Sequence, residues 1–279
     1  MSGRLDERLT APLLDRLITA AAARAGAPGE IRFTERQLYY AVCRLLRPVP
    51  ERLRRHTGRP APPLRLPVFS RALRARTAGV PGLLPEPGLP AGPVPGPAEP
   101  DLYDYGLPRV LVCQDRAIAR MLLANHVHLE AACPVLHAAP DTRLLAALER
   151  AEGAVVYVLH DASPAGVGLP ARVREAVGPV PGVGVVSLGL VPRHAAALGL
   201  VAGRAPAGRP LPALPAGLRP RERDWLAQGR FAEVAALPPD RLLRGVIRLT
   251  RGPRPPRTSA WSGFRERRDA GFMTWPGSE

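Results

Sequence analysis

The feature that most constrains the fold is an alternation of short apolar runs with helical segments that begins at residue 109. The apolar runs are RVLVC (109–113), PVLHA (134–138), AVVYVLH (154–160) and GVGVVSLG (182–189). The segments between them have helical periodicity over 116–124, 141–151 and 170–177. Strands that alternate with helices form parallel sheets with right-handed crossovers. This part of the chain is therefore predicted to be an α/β domain with a mostly parallel, Rossmann-like sheet.

Three helices are predicted before the sheet. The first covers 4–25, where leucines recur at helical spacing and Pro12 could divide the helix in two. The third covers 67–77 and carries three arginines that are expected to be exposed: Arg71, Arg74 and Arg76. Three helices of which the last is basic suggest a helix-turn-helix or winged-helix module.

The second helix has the clearest start signal in the chain. It is predicted from residue 33 to about Leu46, and Thr34 and Gln37 stand in capping-box register. Phe33 and Leu38 have the spacing of a hydrophobic staple. Both signals place the beginning of this helix at residues 33–37.

Proline and glycine divide the chain into parts. The 35 Pro and 27 Gly are clustered, and the stretch 79–100 is too rich in both to pack, which predicts a semi-rigid linker between two domains. Residues 220–245 have a helical pattern again. The predicted organisation is a helical, winged-helix-like domain (1–80), a linker (81–108), an α/β domain (109–251) and a flexible basic tail (252–279).

The formal charge of +15 is unevenly distributed along the chain. Residues 1–80 carry 16 Arg and 6 acidic residues, a net charge of +10, whereas 81–108 carry four acidic residues and no Arg. This pattern favours nucleic-acid binding by the first segment, and a basic surface without a ligand is the alternative. Membrane binding is disfavoured because no segment combines a basic stripe with a bulky aromatic face. All 39 basic residues are Arg, which excludes a Walker A or Schiff-base lysine.

The cysteines and the apolar segments indicate the compartment. Cys43, Cys113 and Cys133 include no close pair, which argues against a disulfide framework and a CxxC metal site. No N-terminal segment has the order of a signal peptide, and none reaches the about 18 apolar residues of a membrane helix. The protein is expected to be soluble and cytoplasmic.

Polar side chains follow two of the predicted strands. Gln114 and Asp115 come after the first strand, and Asp161 and Ser163 come after the third. The carboxyl ends of parallel strands are where ligands bind, so these oxygens are candidates for a Mg²⁺ site. The alternative for Asp161 is that it only begins a turn by bonding to its own backbone. His160 is interpreted as a strand-end residue rather than a catalytic base.

Five short motifs occur in a distinctive order: RQLYY (36–40), DLYDYGLP (101–108), VLVCQD (110–115), DASPAG (161–166) and VVSLGL (185–190). This order resembles the DNA-cleaving A subunit of topoisomerase VI over roughly residues 31–245. Similar proteins include the meiotic double-strand-break protein and bacterial Toprim nucleases of condensin-like plasmid-defence systems. The resemblance implies a winged-helix domain with a nucleophilic tyrosine and a Toprim-like domain that binds Mg²⁺.

The resemblance implies roles for residues of the second helix. Arg36, Tyr39 and Tyr40 match the family's Arg-x-x-aromatic-Tyr motif, so Tyr40 would attack a DNA phosphodiester and Arg36 would stabilise the phosphate. Consecutive residues on a helix point in different directions, so one tyrosine is expected to pack in the core and the other to be exposed. Arg44 lies one turn from Tyr40. The arginines expected to contact DNA are Arg36, Arg44, Arg71, Arg74 and Arg76.

The implied metal site departs from the family. Asp161 matches the first acid of the family's Asp-x-Asp-x-x-Gly motif and Gly166 matches its glycine. Ser163 replaces the second acid, and Gln114 replaces the strand-end glutamate. Two formal charges are lost, so Mg²⁺ is expected to bind weakly or not at all, although Asp115 could restore part of the charge.

Three functions therefore stay open. The first is duplex-DNA binding, with weakened or lost cleavage, as a component of a DNA-processing or DNA-defence complex. The second is an active Mg²⁺-dependent DNA endonuclease or transesterase that uses Tyr40 and Asp161. The third is a structural adaptor that docks a partner subunit. No ATP-binding motif is visible, so an energy-coupled step would need a partner ATPase, and the resemblance implies a possible homodimer.

Overall fold

A computed structural model describes residues 10–46, 62–85, 108–137, 142–151, 153–178, 180, 182–205, 212 and 214–251. The helices, numbered in chain order, are α1 (Ala11–Gly26), α2 (Glu35–Leu46), α3 (Leu66–Arg74), α4 (Arg116–Ala124), α5 (Val127–Glu130), α6 (Thr142–Glu149), α7 (Pro164–Val167), α8 (Leu169–Val177), α9 (Pro192–Ala197), α10 (Pro220–Ala227) and α11 (Pro239–Arg251). The strands are β1 (Arg109–Cys113), β2 (Val135–Leu136), β3 (Val155–Leu159), β4 (Gly184–Ser187), β5 (Gly203–Arg204) and β6 (Arg230–Phe231). A short 3-10 helix covers Val234–Ala236.

The strands β1 to β4 form one parallel sheet in the order β2-β1-β3-β4. Leu111 of β1 pairs with Val135 on one side and with Tyr157 on the other, and Val158 of β3 pairs with Ser187. The predicted α/β class and the parallel sheet are confirmed. A second, antiparallel pair joins β5 to β6.

The sheet separates two hydrophobic clusters. The larger cluster joins α1, α2 and α3 to residues of the sheet and of α11, and it contains Phe69, Leu111 and Leu242. The smaller cluster contains Val156 and Val158 of β3 and is covered by residues of α6 and α8. Side chains alternate between the faces of a strand, so neighbouring residues of β3 contribute to different clusters.

The predicted start of α2 is confirmed. The Thr34 N–H donates to Gln37 Oε1 at 2.9 Å, and the Gln37 N–H donates to Thr34 Oγ1 at 3.1 Å. This reciprocal pair satisfies two N–H groups that have no partner inside the helix. α1 begins at Ala11 after an extended Thr10, with Pro12 in its first turn, where its missing N–H costs no hydrogen bond, so the predicted first helix does not run unbroken through residue 10. Residues 4–9 of the predicted first helix lie outside the described residues.

The first part of the predicted linker is packed. Residues 79–85 run beside Phe33, whose N–H donates to Gly82 O at 2.9 Å and whose C=O accepts from the Leu84 N–H at 2.9 Å. Gly82 has a φ of +79°, and a Cβ there would lie 2.9 Å from the Phe33 ring. The prediction that this stretch cannot pack is wrong for 79–85, because its backbone pairs with Phe33 and its Val80, Leu83 and Leu84 side chains pack against the larger cluster. Residues 86–107 lie outside the described residues.

The prediction of a helix over 220–245 is wrong in its middle. After α10, Gly229 adopts a φ of +70°, and the chain enters β6. Ala232 then pairs with Ala162, with the Ala162 N–H donating to Ala232 O at 2.9 Å and the Ala232 N–H donating to Ala162 O at 3.0 Å. This bridge brings residues 233 and 234 to the end of β3.

Among the helices of the described ranges, none has both the length and the apolarity that crossing a membrane requires. The predicted tail over 252–279 lies outside the described residues.

Candidate functional site

The candidate site lies where β1 and β3 end. The Asp161 N–H donates to Gln114 Oε1 at 2.9 Å, so the structure brings these two strand-end residues together as expected. Asp161 Oδ1 accepts a second hydrogen bond, from the Val234 N–H at 2.7 Å. The carboxylate of Asp161 therefore joins the end of β3 to the 3-10 helix that follows β6.

The pKa of Asp161 is raised from 3.8 to about 7. The largest cause is burial, which penalises the charged carboxylate. The hydrogen bond from Val234 lowers the pKa, and the negative charges of Glu233 and Asp115 raise it. At neutral pH the Asp161 carboxyl group is therefore close to half protonated.

This pKa predicts a pH dependence of folding. Because the folded-state pKa lies above the unfolded value, the folded protein binds more protons than the unfolded chain between pH 3.8 and about 7, and stability falls as pH rises through that window. We expect Asp161→Asn, which keeps an oxygen for the Val234 N–H, to gain stability relative to the wild type across this window. Urea unfolding at a series of pH values measures the difference. The exposed Asp224→Asn is the control, and an unchanged pH profile in Asp161→Asn would contradict the assignment.

Glu233 is the functional-site residue that sequence reasoning missed. Arg36 donates through Nε to Glu233 Oε2 at 2.6 Å and through Nη2 to Oε1 at 2.5 Å, a bidentate pair. The side chains of Arg36 and Glu233 are 32% and 17% exposed. No motif marks Glu233, and the only local signal is Gly229 in front of the Arg-Phe pair of β6.

Both tyrosines of α2 are buried, Tyr39 at 4% and Tyr40 at 2% exposure. The expectation that one of them is exposed is wrong, because α2 packs against α1, α3 and the 3-10 helix on different sides. The Tyr39 hydroxyl donates to Leu64 O at 2.7 Å, and its ring lies 5.6 Å from that of Phe69. Burial raises the pKa of Tyr40 far above its usual range, and the charge of Glu233 raises it further. Tyr40 is therefore neutral and inaccessible as a nucleophile in this conformation.

The other two candidate metal ligands are N-caps. Asp115 Oδ1 accepts from the Ala117 N–H at 2.7 Å at the start of α4, and Ser163 Oγ accepts from the Gly166 N–H at 3.1 Å at the start of α7. A Cβ on Gly166 would lie 2.2 Å from Asp161 O and 2.7 Å from Gln114 Oε1. The backbone of the DASPAG segment (161–166) is therefore packed closely against the ends of β1 and β3.

These side chains do not fit a Mg²⁺ site as they stand. Mg²⁺ is held by carboxylate oxygens and demands near-octahedral geometry. Each of the four candidates, Gln114, Asp115, Asp161 and Ser163, already accepts a hydrogen bond from a backbone N–H, and two of them carry no charge. Among the described residues, no three His, Cys, Asp or Glu side chains converge as a metal-binding group. The predicted turn contact of Asp161 is not observed either, because Asp161 Oδ1 accepts from the distant Val234 N–H and the following turn is capped by Ser163.

The predicted DNA-contacting arginines separate into two groups. Arg71 and Arg74 are exposed on one side of α3, as expected. Arg76 is largely buried and pairs with Asp15, so its predicted exposure is wrong: beyond the end of α3 the chain turns towards α1. Arg44 is partly buried, and its Nη1 donates to Ala236 O at 2.8 Å.

Arg36 completes the site. Its guanidinium carbon lies 5.8 Å from the ring centroids of both Tyr39 and Tyr40, within the range of a cation–π contact. Glu233, Arg36 and the Tyr40 ring therefore form one internal cluster beside Asp161. Comparisons of the chain with protein-family models, with curated proteins and with solved structures found no match.

Proposed function

We propose that the protein binds duplex DNA without cleaving it, as a relative of the topoisomerase VI A subunit. In this proposal α1–α3 belong to a winged-helix-like domain, the parallel sheet belongs to a Toprim-like domain, and the protein acts within a DNA-processing or DNA-defence complex. The proposal rests on the order of the five motifs, on the charge of the first segment and on the contacts of the site.

The bidentate Arg36–Glu233 pair beside the buried Tyr40 is the observation that carries the non-cleaving part of the proposal. A tyrosine attacks a phosphodiester only when its hydroxyl reaches the phosphate and loses its proton. Here Tyr40 is enclosed, the charge of Glu233 opposes its ionisation, and Arg36 is already bound to a carboxylate. The residues that would perform cleavage instead stabilise the fold.

The basic helical part supports the DNA-binding half of the proposal. Its described residues, 10–46 and 62–85, contain nine Arg and three acidic residues. Six of these arginines are exposed: Arg16, Arg24, Arg32, Arg65, Arg71 and Arg74. Guanidinium groups that neutralise DNA phosphates release counterions, which provides the sequence-independent part of the affinity.

Salt dependence tests DNA binding. Because each phosphate contact contributes about −0.9 to the slope of log K against log salt concentration, Arg71→Gln/Arg74→Gln is expected to make the slope shallower by about 2. The measurement is fluorescence anisotropy of a labelled duplex over a series of salt concentrations. Arg172→Gln/Arg174→Gln removes the same charge from α8, which packs on the smaller cluster, and should change the slope little.

Two results would contradict the proposed interface. Affinity that is independent of salt concentration would show that the protein does not contact DNA phosphates. An equal decrease of the slope in both double variants would show that the salt dependence reflects net charge and not contacts at a particular surface. Absence of any DNA affinity, together with a defined complex on purification from the host, would favour the adaptor function instead.

One observation keeps the active nuclease as a second candidate. Glu233 lies next to Val234, whose N–H binds Asp161, so a DNA phosphate that competed for Arg36 would release a second carboxylate close to Asp161. That carboxylate could restore part of the charge missing at Gln114 and Ser163. Nicking of supercoiled plasmid that disappears in Tyr40→Phe or Asp161→Ala would favour this candidate over the first.

A further inference from the structure

His160 and Ser187 form a hydrogen-bonded pair at the carboxyl ends of β3 and β4. The distance from His160 Nε2 to Ser187 Oγ is 2.8 Å, and His160 Nδ1 lies 3.0 Å from the backbone oxygen of Asp161. His160 is buried, whereas Ser187 is exposed. His160 continues the alternation of Val156 and Val158, which places the pair on the face of the smaller cluster, opposite Tyr40.

The partners of the imidazole determine where its proton lies. A backbone carbonyl oxygen can only accept, so the 3.0 Å contact assigns the proton to Nδ1 and leaves a lone pair on Nε2. Nε2 therefore accepts from the Ser187 hydroxyl. A hydroxyl bonded to a base whose orientation is fixed by a third group is the arrangement of an activated nucleophile.

The imidazole is held firmly in this orientation. A Cβ on Gly189 would lie 2.3 Å from two atoms of the His160 ring, so only glycine allows the backbone to approach the ring this closely. The Leu190 N–H donates to His160 O at 2.8 Å and fixes the backbone on the same side. Ser187 itself stands at the carboxyl end of an edge strand, where ligands approach parallel sheets.

We propose that Ser187 is a nucleophile, with His160 as its general base, toward acyl donors with a good leaving group such as activated esters. The Ser187 Oγ–C bond forms as the carbonyl is attacked, and the Ser187 proton passes to His160 Nε2. The bond to the leaving alcohol then breaks, and His160 returns the proton to that alcohol. Water, deprotonated by the same Nε2, hydrolyses the acyl-serine and regenerates the hydroxyl. This activity is independent of DNA binding.

A fluorophosphonate probe tests the nucleophile because its product does not hydrolyse readily. Ser187 Oγ bonds to phosphorus, fluoride leaves, and the proton departs through His160 to the solvent. The chain contains no Lys that could compete for the probe. We expect peptide mapping to find the label on Ser187 of the folded protein, to lose it in Ser187→Ala, and to find labelling about 100-fold slower in His160→Gln, the lower range for a general base.

Unfolding provides a control that needs no variant. In urea the chain keeps Ser187 but loses its contact with His160, so labelling of Ser187 should fall as in His160→Gln. Circular dichroism establishes whether His160→Gln is folded, since His160 is buried. The proposal is wrong if folded wild type leaves Ser187 unlabelled while a known serine hydrolase reacts, or if Ser187 reacts equally fast in the unfolded chain.

Discussion

Replacing Gly166 by alanine is expected to lower the free energy of unfolding by about 3 kcal/mol, at the upper end of the usual cost of overpacking. The new Cβ would lie 2.2 Å from the backbone oxygen of Asp161 and 2.7 Å from Gln114 Oε1. The nearer atom belongs to the backbone that enters the DASPAG turn, so it cannot rotate away as a side chain could. Relief requires displacing the end of β3, together with the hydrogen bonds of Asp161.

Gly168 is the matched control for this substitution. It lies two residues further along the chain, and a Cβ there would meet Pro164 O at 3.6 Å, an ordinary van der Waals distance. Its φ of −84° suits any residue, so Gly168→Ala should change stability by no more than about 1 kcal/mol. Urea unfolding of the two variants gives the comparison. An equal loss of unfolding free energy in the two variants would show that residue 166 has room for a Cβ, and would contradict the close contacts at Gly166.

The second large effect is expected at the Arg36–Glu233 pair. Arg36→Met leaves a largely enclosed Glu233 carboxylate without its partner, which we expect to cost about 2 kcal/mol, below the value for a fully buried pair because both groups are partly exposed. Replacing both residues by Met removes the unpaired charge, so most of the loss should be recovered. A double-mutant cycle on the free energy of unfolding measures this coupling.

An exposed ion pair in the same chain provides the comparison. Arg244 and Asp240 pair one turn apart on α11, with side chains 70% and 24% exposed. The same cycle there should give a coupling of less than about 0.5 kcal/mol. If the Arg36–Glu233 coupling were equally small, the site would not depend on this contact, and Arg36 would be available to a phosphate at little cost.

The elements with local signals were predictable from the sequence. The runs of β-branched residues gave β1 and β3 at nearly their observed bounds, because a buried strand is apolar along its whole length. The capping residues Thr34 and Gln37 gave the start of α2, because both partners lie within one turn. The pairing of Gln114 with Asp161 followed from the rule that parallel strands end on the same edge.

The elements that depend on distant contacts were not predictable. Glu233 reaches Arg36 from 197 positions further along the chain, and its placement depends on the bridge between Ala162 and Ala232. The helical periodicity of residues 220–245 gave no indication of that bridge. The burial of both Tyr39 and Tyr40 likewise depends on the elements that pack around α2. The sequence of a single helix does not show that other elements cover it on several sides.

The contacts at the site are consistent with the proposal that the protein binds DNA without cleaving it. The Val234 N–H binds the Asp161 carboxylate, and Gln114 accepts from the Asp161 N–H. Arg36, the residue proposed to stabilise a phosphate, pairs with Glu233. The same residues that would bind a metal and a phosphate thereby hold the sheet to the helices.

The most direct test of non-cleaving DNA binding is electrophoresis of supercoiled plasmid incubated with the protein and Mg²⁺ or Mn²⁺, run before and after protease treatment. Non-cleaving DNA binding predicts retarded plasmid before protease and unchanged supercoiled plasmid afterwards. Tyr40→Phe and Asp161→Ala run beside the wild type, so that a contaminating nuclease appears as equal nicking in all three samples. Unretarded plasmid would contradict DNA binding, and nicked or linear plasmid that disappears in either variant would contradict the loss of cleavage.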